Sequence, residues 1–305
     1  MNSGFVVVDK PAGITSHDVV SRVRRIFGTR RVGHTGTLDP FATGVLPVAV
    51  NDGTKAIPFL DEGIKVYEAV MQLGVATDTL DTTGVILHEA GWDGITRSDI
   101  ADVLEKFCGP ITQIPPMYSA IKRDGQPLYK LARQGQTVER EPRPVEIYSL
   151  ELTAFEPPLV SFTVSCSRGT YVRTLADDIG SSLGCGAALK KLRRTASGPF
   201  SISSAVTVGQ LEQAAAAGTL EQYLLSPSAA LAHLPGIQVN DQGRAYIGHG
   251  RFPVWQDIAG DVPRECEDGC LMRLIQGSEL LAVAEFRSRG DSPPLPILRR
   301  VFLVS

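Results

Sequence analysis

The stretch Gly33-His34-Thr35-Gly36-Thr37-Leu38-Asp39-Pro40-Phe41-Ala42-Thr43-Gly44 is the one that no regular element can absorb. Three glycines and a proline in so short a span exclude a helix interior, and the side chains do not alternate as a strand requires. The chain must turn here, so the elements on either side are separate pieces gathered around a loop. Glycine leaves room for a sharp bend or for backbone to approach a ligand closely. Asp39 precedes Pro40, which pushes its backbone away from the helical region toward an extended or turn shape. A carboxylate is thus presented five residues after a histidine. Two readings are open at this point: Asp39-Pro40 merely opens a turn, or the loop carries a reactive acid.

The flanking pattern supplies the scaffold. Phe5–Val8 reads as a buried strand, followed by the turn Asp9-Lys10-Pro11-Ala12-Gly13. Thr15 or Ser16 caps a helix running to about Phe27, with Val19, Val20, Val23 and Ile26 on its apolar face. Val45–Val50 and Val66–Gly74 read as strands, and Lys55–Leu60 as a short helix. Ser98 is the expected cap of a helix ending at Phe107. Val160–Cys166 alternates as a strand that runs into Ser167-Arg168-Gly169-Thr170-Tyr171-Val172-Arg173, which places Arg173 at a strand end. Helices are expected over Thr174–Leu183, Ala187–Arg194 and Val208–Ala217, then a Ser/Pro/Ala-rich linker near 226–235. Beyond it, Leu271–Ile275, Leu280–Phe286 and Ile297–Val304 suggest a small β domain.

Charge is distributed unevenly. The chain's net charge of −3 hides a balance of +3 over residues 1–60 and +4 over residues 168–198, against −3 from residue 199 onward. Positive charge therefore lies in the segments that hold the unusual motifs, which suits a nucleic-acid partner, although solvated helix faces produce such clusters too. From Ile114 to Pro144 the chain also turns basic and partly aromatic, the character either of an insertion that touches RNA or of a solvated hairpin. Five irregularly spaced cysteines argue against a disulfide framework, and Cys266 and Cys270 lack the companions of a zinc site. No apolar run reaches membrane length, so a cytoplasmic protein is expected. A nucleotide-binding P-loop is excluded because Gly33–Gly44 lacks the Lys-Ser/Thr pair. Thr82 separates Asp81 from Thr83-Gly84 and no second copy exists, which disfavours an aspartic protease.

Considered together, several motifs resemble those of the TruB-type tRNA pseudouridine synthases. They are Asp9 to Gly13, Gly33 to Gly44, Val66-Tyr67, Thr77 to Gly84 and Ile114-Pro115-Pro116-Met117-Tyr118-Ser119-Ala120, then Ser167 to Arg173 and Leu192-Arg193-Arg194. They occur in the family's order across residues 5–200. Thr37 and Phe41 depart from it, at positions where aliphatic or small residues are commoner. The resemblance implies an α+β fold, a mixed, mainly antiparallel sheet with flanking helices and a cleft across its middle. It further implies a catalytic domain over 1–235, with an RNA-binding insertion at about 120–146, and a PUA-like β-barrel over 236–305. Gly248 to Val254 and Leu298 to Phe302 carry that last likeness, while the acidic Asp261–Asp268 stretch is poor phosphate-binding material.

The implied reaction is isomerisation of uridine 55 in the tRNA T-loop, with neither a metal nor an organic cofactor, by a chain expected to be monomeric and free of membranes. Asp39, Tyr67 and Arg173 match the catalytic positions, as acid, base-stacking ring and guanidinium partner. His34, Lys10, Tyr171, Leu192 and Arg168 fall at substrate-binding positions, where Lys10 either contacts phosphate or caps the loop. The chemistry suits these residue types. Isomerisation breaks the N1–C1′ bond, turns the uracil and joins its C5 to C1′. A carboxylate can attack C1′ or remove the 2′ proton, and the sequence leaves both routes open. Either route needs the carboxylate ionised, and burial alone would neutralise it, so a guanidinium partner is required. An unstacked uridine also needs an aromatic platform to recover part of the unstacking cost.

Overall fold

The computed structural model describes residues 3–61, 63–123, 125–251, 253–259, 268–289 and 292–302. Most of the acidic stretch (261–267), together with Cys266 and Phe252, therefore lies outside the described residues. The chain begins with β1 (Gly4–Lys10), α1 (Ser16–Ile26), β2 (Val32–His34), β3 (Thr43–Val50), α2 (Gly53–Ala56) and β4 (Ile64–Leu73). A hairpin of β5 (Val75–Thr77) and β6 (Ile86–Glu89) precedes α3 (Arg97–Lys106) and β7 (Gly109–Gln113). The basic segment holds the small hairpin β8 (Lys122–Arg123) and β9 (Gln126–Pro127), then α4 (Leu128–Arg133). Next come β10 (Arg143–Glu156), β11 (Leu159–Ser167), α5 (Val172–Ser182), β12 (Ala187–Ser197), β13 (Phe200–Ser201), α6 (Val208–Ala217) and α7 (Pro227–Ala230). The last part is β14 (Gly236–Val239), α8 (Asp241–Gly248), β15 (Ile258–Ala259), β16 (Leu271–Gln276), β17 (Glu279–Arg289) and β18 (Ser292–Val301).

Nine strands form one sheet in the order β1-β3-β12-β4-β11-β10-β7, with β2 on β3 and β13 on β12. Its pairings are antiparallel except for β12 with β3, which are parallel. Because side chains alternate across a strand, each strand feeds two layers. Val6 and Val8 of β1 join the core that includes Val19, Val20 and Val23 of α1, Leu175 and Ile179 of α5, and Leu211 of α6. Phe5 and Val7 face the other way and pack with Leu280, Val283 and Phe302 of the C-terminal region. The second sheet, in the order β15-β14-β16-β17-β18, is thus seated on the β1–β3 side of the large one.

Four local expectations are corrected. The basic segment Ala187–Arg194 is a strand, not a helix: β12 is held between β3 and β4. Ala, Leu, Lys and Arg all favour helix, but pairing on both edges satisfies the backbone and overrides that weak preference. A bulge between Leu189 and Lys191 makes Leu189 and Leu192 both inward at a spacing that mimics a helix. Next, α5 begins at Val172, so Arg173 sits in a helix's first turn rather than at a strand end. The cap of α3 is Thr96, whose hydroxyl accepts from the Asp99 amide at 3.2 Å while the Asp99 carboxylate accepts from the Thr96 amide at 2.8 Å. Finally, residues 226–235 are no free linker. Ala230 and Leu231 are fully buried, and Arg273 of β16 donates to the carbonyls of Leu234 and Ser228 at 2.9 Å each.

Candidate active site

The loop after β2 is anchored from below by groups that the sequence spaces far apart. Lys10, at the end of β1, is fully buried, and its Nζ donates to the carbonyls of Pro11 (2.9 Å), Ile14 (2.8 Å) and Pro40 (3.2 Å). All three ammonium hydrogens are thereby used on backbone, so of the two roles open to Lys10, a phosphate contact or support of the loop, these bonds favour the second. Burial pulls the Lys10 ammonium down to about 8, against the upward pull of the Asp39 charge. Ser16 pins the residue before the acid: its hydroxyl accepts from the Leu38 amide at 2.9 Å and donates to the Leu38 carbonyl at 3.2 Å. Gly44 closes the loop at φ +99°, and a Cβ there would stand 2.1 Å from the Arg194 carbonyl oxygen. Only glycine permits that approach to β12.

Asp39 meets Arg173 across the cleft. Nε of Arg173 donates to Oδ2 at 2.8 Å and Nη2 donates to Oδ1 at 3.2 Å, a bidentate pair. The remaining donors are spoken for: Nη1 gives to the Thr79 carbonyl at 2.8 Å and Nη2 to the Tyr118 carbonyl at 2.7 Å. Nη1 also lies 3.9 Å from the Asp81 carboxylate. The Arg173 side chain is 4% exposed, whereas 32% of the Asp39 side chain stays open to solvent, so the acid forms the accessible end of the pair. Desolvation raises the Asp39 carboxyl above its ordinary value. Arg173 opposes that rise by charge and hydrogen bonding, Asp81 adds to it, and Lys10 reduces it. Two guanidinium donors on the two carboxylate oxygens favour the ionised form of Asp39.

Other predicted residues fall around this pair at unequal depths. Tyr67 lies mid-strand in β4, 8% exposed and packed in the same core as Leu38, Leu192 and Val172. Burial raises its phenol, with the Arg194 charge as the chief counterweight. Leu192, opposite Ala69, lines the same face two residues from Arg194. Half-buried His34 sits on β2 opposite Val48, one residue ahead of the loop. Tyr171 caps α5, its amide and carbonyl held by the side-chain amide of buried Gln113 at 3.0 and 3.3 Å. Arg168 is exposed on the turn between β11 and α5, away from the ion pair's inner shell of donors. Among the described residues, no group of three His, Cys, Asp or Glu side chains is arranged to hold a metal ion.

Asp81, Tyr118, Gln113 and Arg194 escaped assignment from the sequence. Asp81 is held by Thr79 and Thr83 hydroxyls, so the Thr/Asp-rich run was a usable signal that the region stores a buried carboxylate. Tyr118 acts through its backbone carbonyl, which no side-chain pattern betrays.

Comparison with known proteins narrows the class. Residues 24–172 match the model described as TruB family pseudouridylate synthase (N terminal domain), and residues 173–232 match the tRNA pseudouridylate synthase B C-terminal domain. The fold is thus that of a pseudouridylate synthase. A tRNA pseudouridine synthase B from Geotalea uraniireducens is 55% identical over 98% of this chain and 97% of the relative. The one from Geobacter sulfurreducens is 51% identical over 97% and 98%. A chain of a Cbf5–Nop10–Gar1 complex superposes with a TM-score of 0.75 at 28% identity, covering 98% of this chain and 85% of that one. This chain belongs to the TruB family of pseudouridylate synthases.

Proposed function

We propose that this chain converts uridine 55 of the tRNA T-loop to pseudouridine, with Asp39 as the acting carboxylate. The observation that carries the reading is the bidentate Asp39–Arg173 pair, buried on the arginine side and open on the acid side. An ionised carboxylate with a free flank is what an everted ribose needs, whether Asp39 attacks C1′ or takes the 2′ proton. In both routes the N1–C1′ bond breaks, the uracil turns, the C5–C1′ bond forms, and the C5 hydrogen leaves as a proton while N1 takes one up. Tyr67 forms the ring wall against which the turned base rests, with Leu192 beside it and His34 and Tyr171 at the rim. Arg168, exposed and basic, contacts phosphate.

Residues 1–235 are the catalytic unit and the sheet built from Gly236 onward is a PUA-like RNA-binding unit, a division supported by the separate sheet and by family matches ending at residue 232. The basic segment of 120–146 supplies further RNA contacts. A cytoplasmic monomer is the accompanying reading, in keeping with the absence, among the described residues, of any helix long and apolar enough to cross a membrane.

Tritium release from C5-labelled uridine in a T stem-loop transcript tests the activity. Wild type should release tritium, and Asp39→Ala should release none while still binding the RNA. Tight binding without release by wild type would mean an RNA-binding module instead. Release from other RNAs but not from the T stem-loop would move the substrate elsewhere.

A further inference from the structure

Arg194 is a fully charged side chain, 2% exposed, that the Asp39–Arg173 pair does not use. Its Nε donates to the Val45 carbonyl at 2.7 Å and its Nη2 to the Gly36 carbonyl at 3.1 Å. Those two acceptors bracket the catalytic loop, one three residues before Asp39 and one six residues after it. The Arg194 backbone touches the same loop: β12 pairs in parallel with β3 through Arg194 and Gly44. On its other edge Arg194 stands opposite Tyr67 in β4, so both side chains point into one face about 5 Å apart at Cβ. The Arg194 charge opposes the rise that burial imposes on the Tyr67 phenol. Arg194 therefore meets both halves of the site: its side chain holds the loop that carries the acid, and its backbone pairs with the strand that carries the ring.

We propose that Arg194 is a positioning residue that sets the distance between Asp39 and the Tyr67 ring, by tying both ends of the catalytic loop to the point on β12 that pairs with Tyr67. This assignment rests on the function proposed above. Burying a guanidinium is unfavourable unless it is hydrogen-bonded, and the Nε and Nη2 of Arg194 donate to carbonyls flanking the loop rather than to a carboxylate. A charge placed only for stability is ordinarily paired with an opposite charge. Here the charge is solvated by the pieces whose geometry the reaction depends on.

The test compares wild type, Arg194→Lys, Arg194→Met, Tyr67→Phe and the double variant Arg194→Met/Tyr67→Phe. Each is assayed by single-turnover tritium release from the T stem-loop and by its Kd for the same RNA. Wild-type release establishes the underlying activity, so its absence would sink that reading before Arg194 is judged. With wild type active, Arg194→Met should slow the single-turnover rate about ten- to a hundredfold, with Kd within about threefold of wild type. Arg194→Lys, which keeps the charge and one donor, should recover part of that loss. The effect of Arg194→Met should shrink in the Tyr67→Phe background, because the two residues are cross-strand neighbours and the Arg194 charge acts on the Tyr67 phenol. Circular dichroism and thermal unfolding check folding. If Arg194→Met does not fold, Arg194→Lys decides alone: a folded variant with wild-type turnover overturns the proposal. Losses in rate and Kd of equal size, or strictly additive effects of the two substitutions, overturn it as well.

Discussion

Replacing Arg173 by Met removes the guanidinium while keeping much of its length, and the consequences depend on pH in a defined direction. Breaking a buried ion pair costs 3–5 kcal/mol, and the low end, about 3 kcal/mol, applies because Asp39 keeps a third of its side chain in solvent. The Thr79 and Tyr118 carbonyls lose their donor too, adding about 1 kcal/mol each. Without Arg173 the Asp39 carboxyl, already raised by desolvation, moves further up, because the largest opposing influence has gone. A carboxyl whose folded value exceeds its unfolded value binds more protons when folded, so folding weakens as pH rises through the interval between the two values. The stability deficit of Arg173→Met should therefore reach about 5 kcal/mol on the alkaline side of that interval and shrink toward the carbonyl part below it. In the proposed reaction Asp39 acts in its ionised form, so the acid limb of the single-turnover rate should shift to higher pH. Urea unfolding at several pH values and tritium release across the same range measure both. A deficit independent of pH, with an unshifted acid limb, would show that Arg173 does not hold the Asp39 charge.

Two further substitutions probe the frame around the site. Gly44→Ala should destabilise by at least about 1–3 kcal/mol and displace the loop, since the residue combines φ +99° with a Cβ position 2.1 Å from the Arg194 oxygen; thermal unfolding and turnover should fall together. Thr96→Ala should lower stability by about 1 kcal/mol through loss of the α3 cap, whereas Ser98→Ala, inside the helix, should stay within about 0.5 kcal/mol by chemical denaturation.

What the residues declared on their own was whatever depends on near neighbours. The Thr15 cap, the strand Phe5–Val8 and the irregular loop around Asp39 are set by hydrogen bonds and backbone preferences within a few positions, and these are written into local order. The pairing of Asp39 with Arg173 was legible because a matched order of motifs marked both, not because any spacing required Asp39 to meet Arg173 134 residues later. Tertiary contact decided the rest. Ala187–Ser197 has helix-forming residues but becomes a strand because β3 and β4 offer it backbone partners on both edges. Lys10 lies under the loop because three carbonyls converge on its ammonium, an arrangement that exists only once β1 and the loop are packed. Asp81, the Tyr118 carbonyl and Arg194 earn their places the same way, from groups remote in the chain. Hydrogen bonding and charge act through space over a few ångströms, and only the folded chain says which distant residues come within that range.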